Sequence, residues 1–432
     1  MRKSRQRSIL TTNRAALYQS GGSAPTARTK AAVEKESVKN IRQEFIGTLD
    51  GSVLKEKKMF FHVILTTECN SQCRYCYGEA LEDVDEDFSD FEVDYSLPRN
   101  MSYDVALLDN LCQRDNDCVL TFYGGEPLIC VDKIKQIMDN VRAKLFMVQT
   151  NGLLLDQLEP EYVNRFHTIL VSIDGDEALT DFYRGNGTFK KLISNLKLIE
   201  RNGFHGELIA RMTVMEQTDI YKQVRWLLHN HVFSFSSVHW QLNAGFWKND
   251  FSRRDFKRWS EENYDPGIRK VVGFWVDNME KKGAVLRLYP FLGMAESLLS
   301  GEEKSPLRCG GGWINYAIQT DGHIIPCPTM WGMKDYYLGH VSTADPLKLK
   351  KVCIGEPCTQ CDAFNLCGGR CLYALVTKRW NPEAYAHVCR TVRNLIQAVR
   401  EQMPRIEGLI KRGKVRLRDF EYMKYNGCEI IP

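Results

Sequence analysis

Three cysteines, Cys69, Cys73 and Cys76, stand close together in the segment TTECNSQCRYCYGEA. Thiolates at this spacing in one loop are able to hold one corner of an iron–sulfur cluster. A cluster of four irons held by three cysteines keeps one iron without a protein ligand, and that iron can bind a small molecule. The alternatives are a structural zinc site, which would need a fourth ligand, and three unconnected buried thiols.

Seven more cysteines crowd into the C-terminal part of the chain, within 81 residues of one another. They are too many for packing alone, and several are separated by only two, three or five residues. Such spacings indicate metal or cluster ligation, and a zinc ion held by four thiolates is the alternative. The seven are Cys309, Cys327, Cys358, Cys361, Cys367, Cys371 and Cys389.

The composition indicates the class of protein and the compartment in which it works. Fifteen cysteines in 432 residues do not match a small disulfide scaffold, so a reducing, cytoplasmic compartment is predicted. No run of 18 apolar residues occurs, which predicts no membrane-spanning helix. The net charge of +4 hides a basic segment at residues 1–58. The remainder is mildly acidic and gives no sign of nucleic-acid binding.

The elements that must position these cysteines follow an alternating pattern. Apolar segments rich in Val, Ile and Phe predict strands at Phe61–Thr67, Cys118–Tyr123, Lys144–Thr150, Thr168–Ile173, Leu208–Met215 and Val238–Leu242. Helical periodicity between them predicts helices at Tyr103–Asp115, Asp132–Arg142, Thr188–Arg201 and Thr218–Asn230. Six such units predict an α/β fold, a partial (β/α)6 TIM-like barrel that is open on one side.

Small polar residues follow three of the predicted strands. Because the carboxyl ends of parallel strands meet at one mouth of a barrel, we expect these residues to line a common ligand site. Turn-forming residues and an ordinary surface arginine are the alternatives. The candidates are Gly124, Gly125, Glu126 and Pro127 after the second strand, Asn151 after the third, Ser172 and Asp174 at the end of the fourth, and Arg184 shortly beyond it.

The first cysteine cluster, with Tyr75 directly before its last cysteine, resembles the CxxxCxxC signature of the radical S-adenosylmethionine (SAM) superfamily. The resemblance implies that the open iron of a 4Fe–4S cluster binds SAM. It also implies that an electron from a low-potential donor, such as ferredoxin or flavodoxin, cleaves SAM to methionine and a 5′-deoxyadenosyl radical. The hard chemistry would belong to the cofactors, and the protein would supply position and exclude water.

The polar strand ends match this family in order. Residues 124–127 are similar to its GGEP motif, which implies that they hold the amino group of SAM. Ser172 and Arg184 are similar to a SIDG…D..R pattern, which implies contact with the SAM carboxylate. Tyr75 matches the aromatic residue of the signature. Asn151 and Asp174 are assigned to the same cofactor-binding site because they lie at the predicted barrel mouth, where a ribose or a carboxylate would bind.

The C-terminal cysteines, from Cys309 to Cys389, resemble the SPASM module, which binds two auxiliary 4Fe–4S clusters. The resemblance implies three clusters in all. An inner auxiliary cluster would be held by Cys309, Cys327 and Cys371, and its fourth ligand is an open site, Cys353 or Cys428. An outer auxiliary cluster would be held by Cys358, Cys361, Cys367 and Cys389.

Radical SAM enzymes with this module mostly modify peptides or proteins oxidatively, including ribosomally made precursor peptides. Anaerobic sulfatase-maturating relatives carry an Asp after the cysteine equivalent to Cys327, whereas Pro328 stands here, which disfavours sulfatase maturation. Residues 326–332 and 424–432 resemble a group, mainly from methanogenic archaea, to which peptide modification is ascribed. One alternative is radical dehydrogenation or decarboxylation of a small molecule, and another is a non-enzymatic electron-transfer protein.

These patterns divide the chain into successive regions. The acidic stretch at residues 79–94 is interpreted as a solvated loop, with docking of a basic substrate as the alternative. A final helix is predicted from Pro382 onward. The regions are a basic N-terminal extension at 1–58, a radical SAM partial barrel at 59–244, an irregular bridge at 245–306, a SPASM domain at 307–400 and a C-terminal tail at 401–432.

Overall fold

The computed structural model describes residues 58–78, 91–248, 250–301, 307–428 and 431. The predicted basic extension, apart from Lys58, lies outside the described residues. So does most of the predicted acidic loop.

Nine strands of the described residues form one sheet. The first six agree with the predicted strands to within two residues, because runs of apolar residues buried on both faces are typical of parallel sheets. The strands are β1 (Phe60–Thr66), β2 (Val119–Gly124), β3 (Leu145–Thr150), β4 (Phe166–Ser172), β5 (Glu207–Val214), β6 (Ser237–Leu242), β7 (Asn315–Ile318), β8 (His323–Ile325) and β9 (Gly339–His340).

The strand order is β6-β5-β4-β3-β2-β1-β7-β8-β9. Strands β1 to β6 run parallel, and β7 adds a further parallel strand beside β1. Strands β8 and β9 are antiparallel additions at that edge. The sheet is therefore an open, partial barrel, which confirms the predicted fold class. It also continues without a break from the barrel into the C-terminal part of the chain.

Helices cover the outer face of the sheet. The four predicted helices and the final helix are confirmed, and Asn381 caps the final helix by accepting a hydrogen bond from the Ala384 N–H. No helix among the described residues is long and apolar enough to cross a membrane. The α-helices are α1 (Val105–Cys112), α2 (Val131–Asn140), α3 (Pro160–Val163), α4 (Glu177–Arg184), α5 (Thr188–Arg201), α6 (Ile220–His229), α7 (Asp250–Arg253), α8 (Phe256–Trp259), α9 (Asp265–Lys282), α10 (Tyr289–Ser300), α11 (Phe364–Cys367), α12 (Leu372–Thr377) and α13 (Pro382–Lys411).

Shorter helical segments connect these elements. A π-helix at Ser260–Tyr264 joins α8 to α9. The 3₁₀-helices are Pro127–Cys130, Leu155–Gln157, Pro328–Met330, Lys334–Tyr336, Pro346–Lys348, Cys358–Gln360 and Leu417–Phe420.

The prediction of an irregular bridge at residues 245–306 is wrong, because most of its described residues are helical. Helix α9 buries one apolar stripe whose members recur at helical spacing, a pattern that the many aromatic and charged neighbours obscure. The stripe comprises Ile268, Val271, Val272, Trp275, Val276 and Met279.

Alternating residues of the strands face two different cores. The outward-facing set packs against the helices and includes Phe61, Leu120, Val148, Ile169 and Leu208. The inward-facing set forms a smaller cluster inside the barrel and includes Phe60, Val119, Met147, Leu170 and Ile209. This alternation is the ordinary consequence of the two-residue period of a strand.

The end of the chain closes the inner side of the barrel. Cys428 is buried within the inward-facing cluster, and Tyr422, Met423 and Tyr425 pack against it. Asn426 donates a hydrogen bond from Nδ2 to the Tyr289 hydroxyl at 2.9 Å. The region predicted as a C-terminal tail therefore contributes to the barrel core.

Candidate active site

The first cysteine cluster lies on the loop that leaves β1. Cys69 is exposed, and Cys73 and Cys76 are half-buried. Partial burial raises the pKa of the Cys69 thiol to about 11, and the charges of Cys73 and Cys76 add to that rise. The three thiols thus lie close enough to influence one another, and this exposed loop fits a cluster with one open iron.

The two glycines at the end of β2, Gly124 and Gly125, are required by contacts within the chain itself. A β-carbon on Gly124, whose φ is +147°, would lie 2.2 Å from the carbonyl oxygen of Thr66. One on Gly125 would lie 2.2 Å from the carbonyl oxygen of Glu68. The Gly125 N–H also donates to the Thr66 oxygen at 2.9 Å. These glycines therefore allow the backbone at the end of β2 to lie directly against the start of the cysteine loop.

Gly125→Ala is expected to push the cysteine loop away from β2, because backbone cannot yield as a flexible side chain does. We expect a loss of roughly 1–3 kcal/mol in unfolding free energy and reduced iron at the first cluster, measured by thermal unfolding and iron analysis. Gly273→Ala in α9 is the control, since its β-carbon would meet nothing within 4 Å. Equal effects of the two substitutions would contradict this role for Gly125.

Glu126 connects the ends of β2 and β3. Its carboxylate is 1% exposed and accepts hydrogen bonds from the Leu128 N–H at 3.0 Å, the Thr150 hydroxyl at 2.7 Å and the Asn151 N–H at 2.7 Å. Burial raises the pKa of Glu126 to about 7, against the effect of these three bonds. The carboxylate therefore organises the strand ends, and Pro127 opens the buried turn that follows it.

Asn151 joins this arrangement to the cysteine loop. Its side-chain Nδ2 donates to Asn70 Oδ1 at 2.7 Å and to the Ser71 hydroxyl at 3.2 Å. The same atom lies 4.0 Å from the sulfur of Cys69. The structure thus brings the predicted residues of the first three strand ends together around the loop.

Tyr75, Asp174 and Arg184 form a buried polar network. Arg184 donates to the Asp174 carboxylate from Nε at 2.8 Å and from Nη2 at 3.1 Å. The Tyr75 hydroxyl donates to the same carboxylate at 2.6 Å. The Thr213 N–H donates to it at 2.9 Å. The family resemblance implies that Arg184 contacts the SAM carboxylate, and the carboxylate that it contacts in the structure is that of Asp174.

Ser172 lies apart from this network. It is half-buried at the end of β4, and its register neighbour on β5 is Arg211. The backbone of the cysteine loop also contacts α4, where the Arg74 N–H donates a hydrogen bond of 2.9 Å to the Tyr183 carbonyl.

The predicted ligands of the outer auxiliary cluster line one cavity together. Burial raises the pKa of Cys358 to about 11, and the charges of three neighbouring thiols raise it further. Arg393 donates to the sulfur of Cys361 at 3.2 Å. The cysteines at this outer cavity are Cys358, Cys361, Cys367, Cys371 and Cys389. The donor set fits a thiolate-bound iron–sulfur cluster.

A second, inner cavity is lined by the remaining three predicted cluster cysteines, Cys309, Cys327 and Cys371. Cys371 thus lines both cavities and stands between them. Cys353 is exposed, Cys428 is buried, and neither lines either cavity. No three His, Cys, Asp or Glu side chains of the described chain are grouped closely enough to hold a single metal ion.

The inner cavity is also lined by barrel residues that the sequence patterns did not single out. The hydroxyls of Tyr77 and Tyr123 are hydrogen-bonded to each other at its wall. These barrel residues are His62, Tyr123, Gln149, Arg211 and Gln241 from the strands, with Tyr77 from the cysteine loop. The strand residues could have been recognised in the sequence as polar side chains at alternate positions within otherwise apolar strands.

Residues 63–223 match the model of the radical SAM superfamily. The chain is 21% identical over 328 residues to a cysteine-type anaerobic sulfatase-maturating enzyme of Clostridium perfringens, covering 70% of this chain and 85% of the relative. It is 28% identical over 168 residues to an Fe-coproporphyrin III synthase of Methanosarcina barkeri, covering 38% of this chain and 39% of the relative. The structure of native anSMEcpe with bound AdoMet and Cp18Cys peptide has a TM-score of 0.59 at 17% identity, covering 81% of this chain and 99% of that one.

The fold, the cysteine loop and the matched domain together define a radical SAM enzyme. Residues 63–223 match this superfamily, and the C-terminal part of the chain is SPASM-like. These findings confirm the predicted resemblance to radical SAM enzymes with a SPASM-like C-terminal part. Enzymes of this class use SAM and a 4Fe–4S cluster, which supply the radical chemistry when bound.

Proposed function

We propose that this enzyme oxidatively modifies a peptide or protein and carries two auxiliary 4Fe–4S clusters besides the catalytic one. The observation that carries the proposal is the distribution of ten cysteines over one loop and two adjoining cavities. A single radical-generating cluster would need only the loop. The further cysteines supply ligands for centres that accept the electron left after hydrogen abstraction from the substrate.

In this proposal the cysteine loop holds the cluster that binds SAM. Cys69, Cys73 and Cys76 are its ligands, and the residues at the ends of β2 and β3 hold the loop against the barrel. The Tyr75 hydroxyl, bound to buried Asp174, fixes the loop from its other side. When SAM and the cluster are bound, they supply a 5′-deoxyadenosyl radical that abstracts a hydrogen atom from the substrate.

The inner cavity is the proposed place of the substrate. It extends from Tyr77, the residue after Cys76, to the three cysteines proposed for the inner auxiliary cluster. Substrate there would lie between the radical source and the electron acceptor. The stacked rings of Tyr77, Phe246 and Tyr373, at 5.4 and 5.9 Å between neighbouring centroids, close one wall of this space. Such a wall would limit the access of water to a radical.

Because Cys371 lines both cavities, it would provide a short path for electron transfer between the two auxiliary clusters. The Arg393 hydrogen bond to Cys361 would tune the outer cluster, since hydrogen bonds to ligand sulfurs shift reduction potentials. Ferredoxin or flavodoxin is the proposed electron donor for the catalytic cluster.

A peptide substrate is supported by the sulfatase-maturating relative and by the peptide in the structure of anSMEcpe. Sulfatase maturation itself is not proposed, because Pro328 replaces the expected Asp after Cys327. A second candidate is a small-molecule substrate, favoured by the likeness to an Fe-coproporphyrin III synthase. Mass spectrometry of small peptides encoded beside the gene, after anaerobic co-expression, separates the two.

The cluster count is tested by iron analysis after anaerobic reconstitution. We expect about twelve irons per chain, three clusters of four. The double variant Cys358→Ala/Cys367→Ala is expected to lose about four of them, because two ligands of the outer cluster are gone. Cys112→Ala is the control, since this buried thiol lies in the helix-facing core. About four irons in the unaltered protein would contradict the proposal of auxiliary clusters.

A further inference from the structure

The inner cavity contains a cation without a counter-ion. Arg211, on β5, lines the cavity and is half-buried. Its Nη2 donates to Gln241 Oε1 at 2.6 Å. Its Nε is enclosed by protein and has no hydrogen-bond partner. No carboxylate of the described residues forms an ion pair with Arg211, in contrast to Arg184, which is paired with Asp174.

Three strand side chains that share the cavity with Arg211 carry no negative charge. Gln149 and Gln241 are neutral amides. Burial lowers the pKa of His62 to about 4, and the nearby charge of Arg211 lowers it further, so His62 is neutral near pH 7. The ring of His62 is also held by Asn315, whose Oδ1 lies 2.9 Å from its Nδ1. None of these side chains can neutralise a guanidinium.

A charge that is partly removed from water is stabilised by a partner, and such groups in proteins are normally paired. The planar fork of an arginine matches a carboxylate and can bind it through two parallel hydrogen bonds. The Arg211 side chain lines the inner cavity, so a ligand there can approach its guanidinium. A carboxylate fits this geometry, whereas the thiolates proposed for the inner cluster, although anionic, cannot form the two parallel hydrogen bonds.

We propose that Arg211 binds a carboxylate of the substrate in the inner cavity, and that the substrate is an acidic peptide segment. This inference rests on the function proposed above and specifies its substrate class. The carboxylate would anchor the segment beside the three cysteines of the cavity wall. Arg211 would thus determine substrate specificity, and SAM cleavage would proceed without it.

The alternative ligand of Arg211 is the SAM carboxylate. Ser172, which is predicted to contact that carboxylate, is the register neighbour of Arg211. Neither Ser172 nor any other residue predicted to bind SAM lines the inner cavity. Instead, Arg211 shares this cavity with Cys309, Cys327 and Cys371. This placement favours the substrate, and a measurement of SAM affinity separates the two sources.

The probes are two small amides that differ in one group, N-acetylglutamate N-methylamide and its glutamine counterpart. Each is added at millimolar concentration to the reconstituted full chain without oxygen, and the shift in Tm is measured. Ligand binding to the folded state raises Tm, and at a given ligand concentration the rise grows with the logarithm of the affinity. We expect the glutamate probe to bind roughly tenfold more tightly or better, because it makes charge-assisted hydrogen bonds.

Arg211→Gln is expected to remove this difference, to leave SAM affinity within about twofold by equilibrium dialysis, and to fold with an undiminished Tm, since it removes an unpaired charge. Arg142→Gln, at an exposed arginine, is expected to keep the difference. Equal shifts for the two probes on the unaltered protein would overturn the proposal even if the variant did not fold. A difference that survives in Arg211→Gln, or a tenfold loss of SAM affinity there, would also overturn it. Intact SAM cleavage alongside any of these outcomes would leave the proposed function standing.

Discussion

Replacing Cys69, Cys73 and Cys76 together with alanine is expected to abolish the formation of methionine and 5′-deoxyadenosine from SAM. The three thiolates are the proposed ligands of the catalytic cluster, so SAM loses the iron to which it would bind. The cysteines of the two cavities lie on separate elements of the C-terminal part. About eight of about twelve irons should therefore remain. Iron analysis and chromatography of SAM products, under reducing and oxygen-free conditions, measure both quantities.

Cys130→Ala is a suitable control for this triple variant. Cys130 is also half-buried but lies in the turn after β2, outside the proposed ligand sets. We expect it to retain full iron content and SAM cleavage. Undiminished 5′-deoxyadenosine from the triple variant would refute the assignment of the catalytic cluster. Loss of all iron would show instead that the auxiliary clusters depend on the first one.

Arg184→Ala is expected to have the second largest effect, and the effect is on stability. Asp174 is completely buried, and Arg184 neutralises it through two hydrogen bonds. Removing one partner of a buried ion pair leaves an uncompensated charge, which typically costs roughly 3–5 kcal/mol. Denaturant unfolding of the variant and the unaltered protein measures this difference. SAM affinity is then measured on the fraction that remains folded.

Two further variants test whether the ion pair is the cause. Arg142 and Asp109 form a more exposed pair at 2.7 Å, and Arg142→Ala should change stability far less. The double variant Arg184→Met/Asp174→Asn removes both charges and should recover part of the lost stability. If Arg184→Ala were as stable as the unaltered protein but bound SAM weakly, Arg184 would be a cofactor ligand, as the family resemblance implies.

Much of the fold followed from local patterns. Strands β1 to β6 were predictable because each is a short apolar run next to a helical pattern, and Thr188–Arg201 was predicted to the residue. Helix α9 was missed because charged and aromatic residues obscure its apolar stripe. The pairing of β7 with β1 was also missed. It joins segments about 250 residues apart, and nothing in a four-residue strand specifies such a distant partner.

The candidate site divides in the same way. The cysteine types and spacings indicated metal or cluster ligation, since ligands within one loop are close whatever the rest of the chain does, and the resemblance to the SPASM module implied three clusters. The structure places the seven C-terminal cysteines around two cavities and puts Cys371 at both. It also changes the reason for two predicted features. The glycines at the end of β2 accommodate the backbone of the cysteine loop, and the carboxylate next to Arg184 belongs to Asp174.

By itself, the amino-acid sequence determined the chemistry available to this protein: thiolates at cluster spacing, polar strand ends in a consistent order, and alternating strands and helices. These features depend on residues that are close together in the sequence, so they do not require knowledge of how distant segments pack. Only the tertiary structure decided which side chains face one another inside the barrel. Arg211, Tyr77 and Cys327 come together there because strand register and the curvature of the sheet bring distant residues to one cavity. Those quantities depend on the packing of the whole chain.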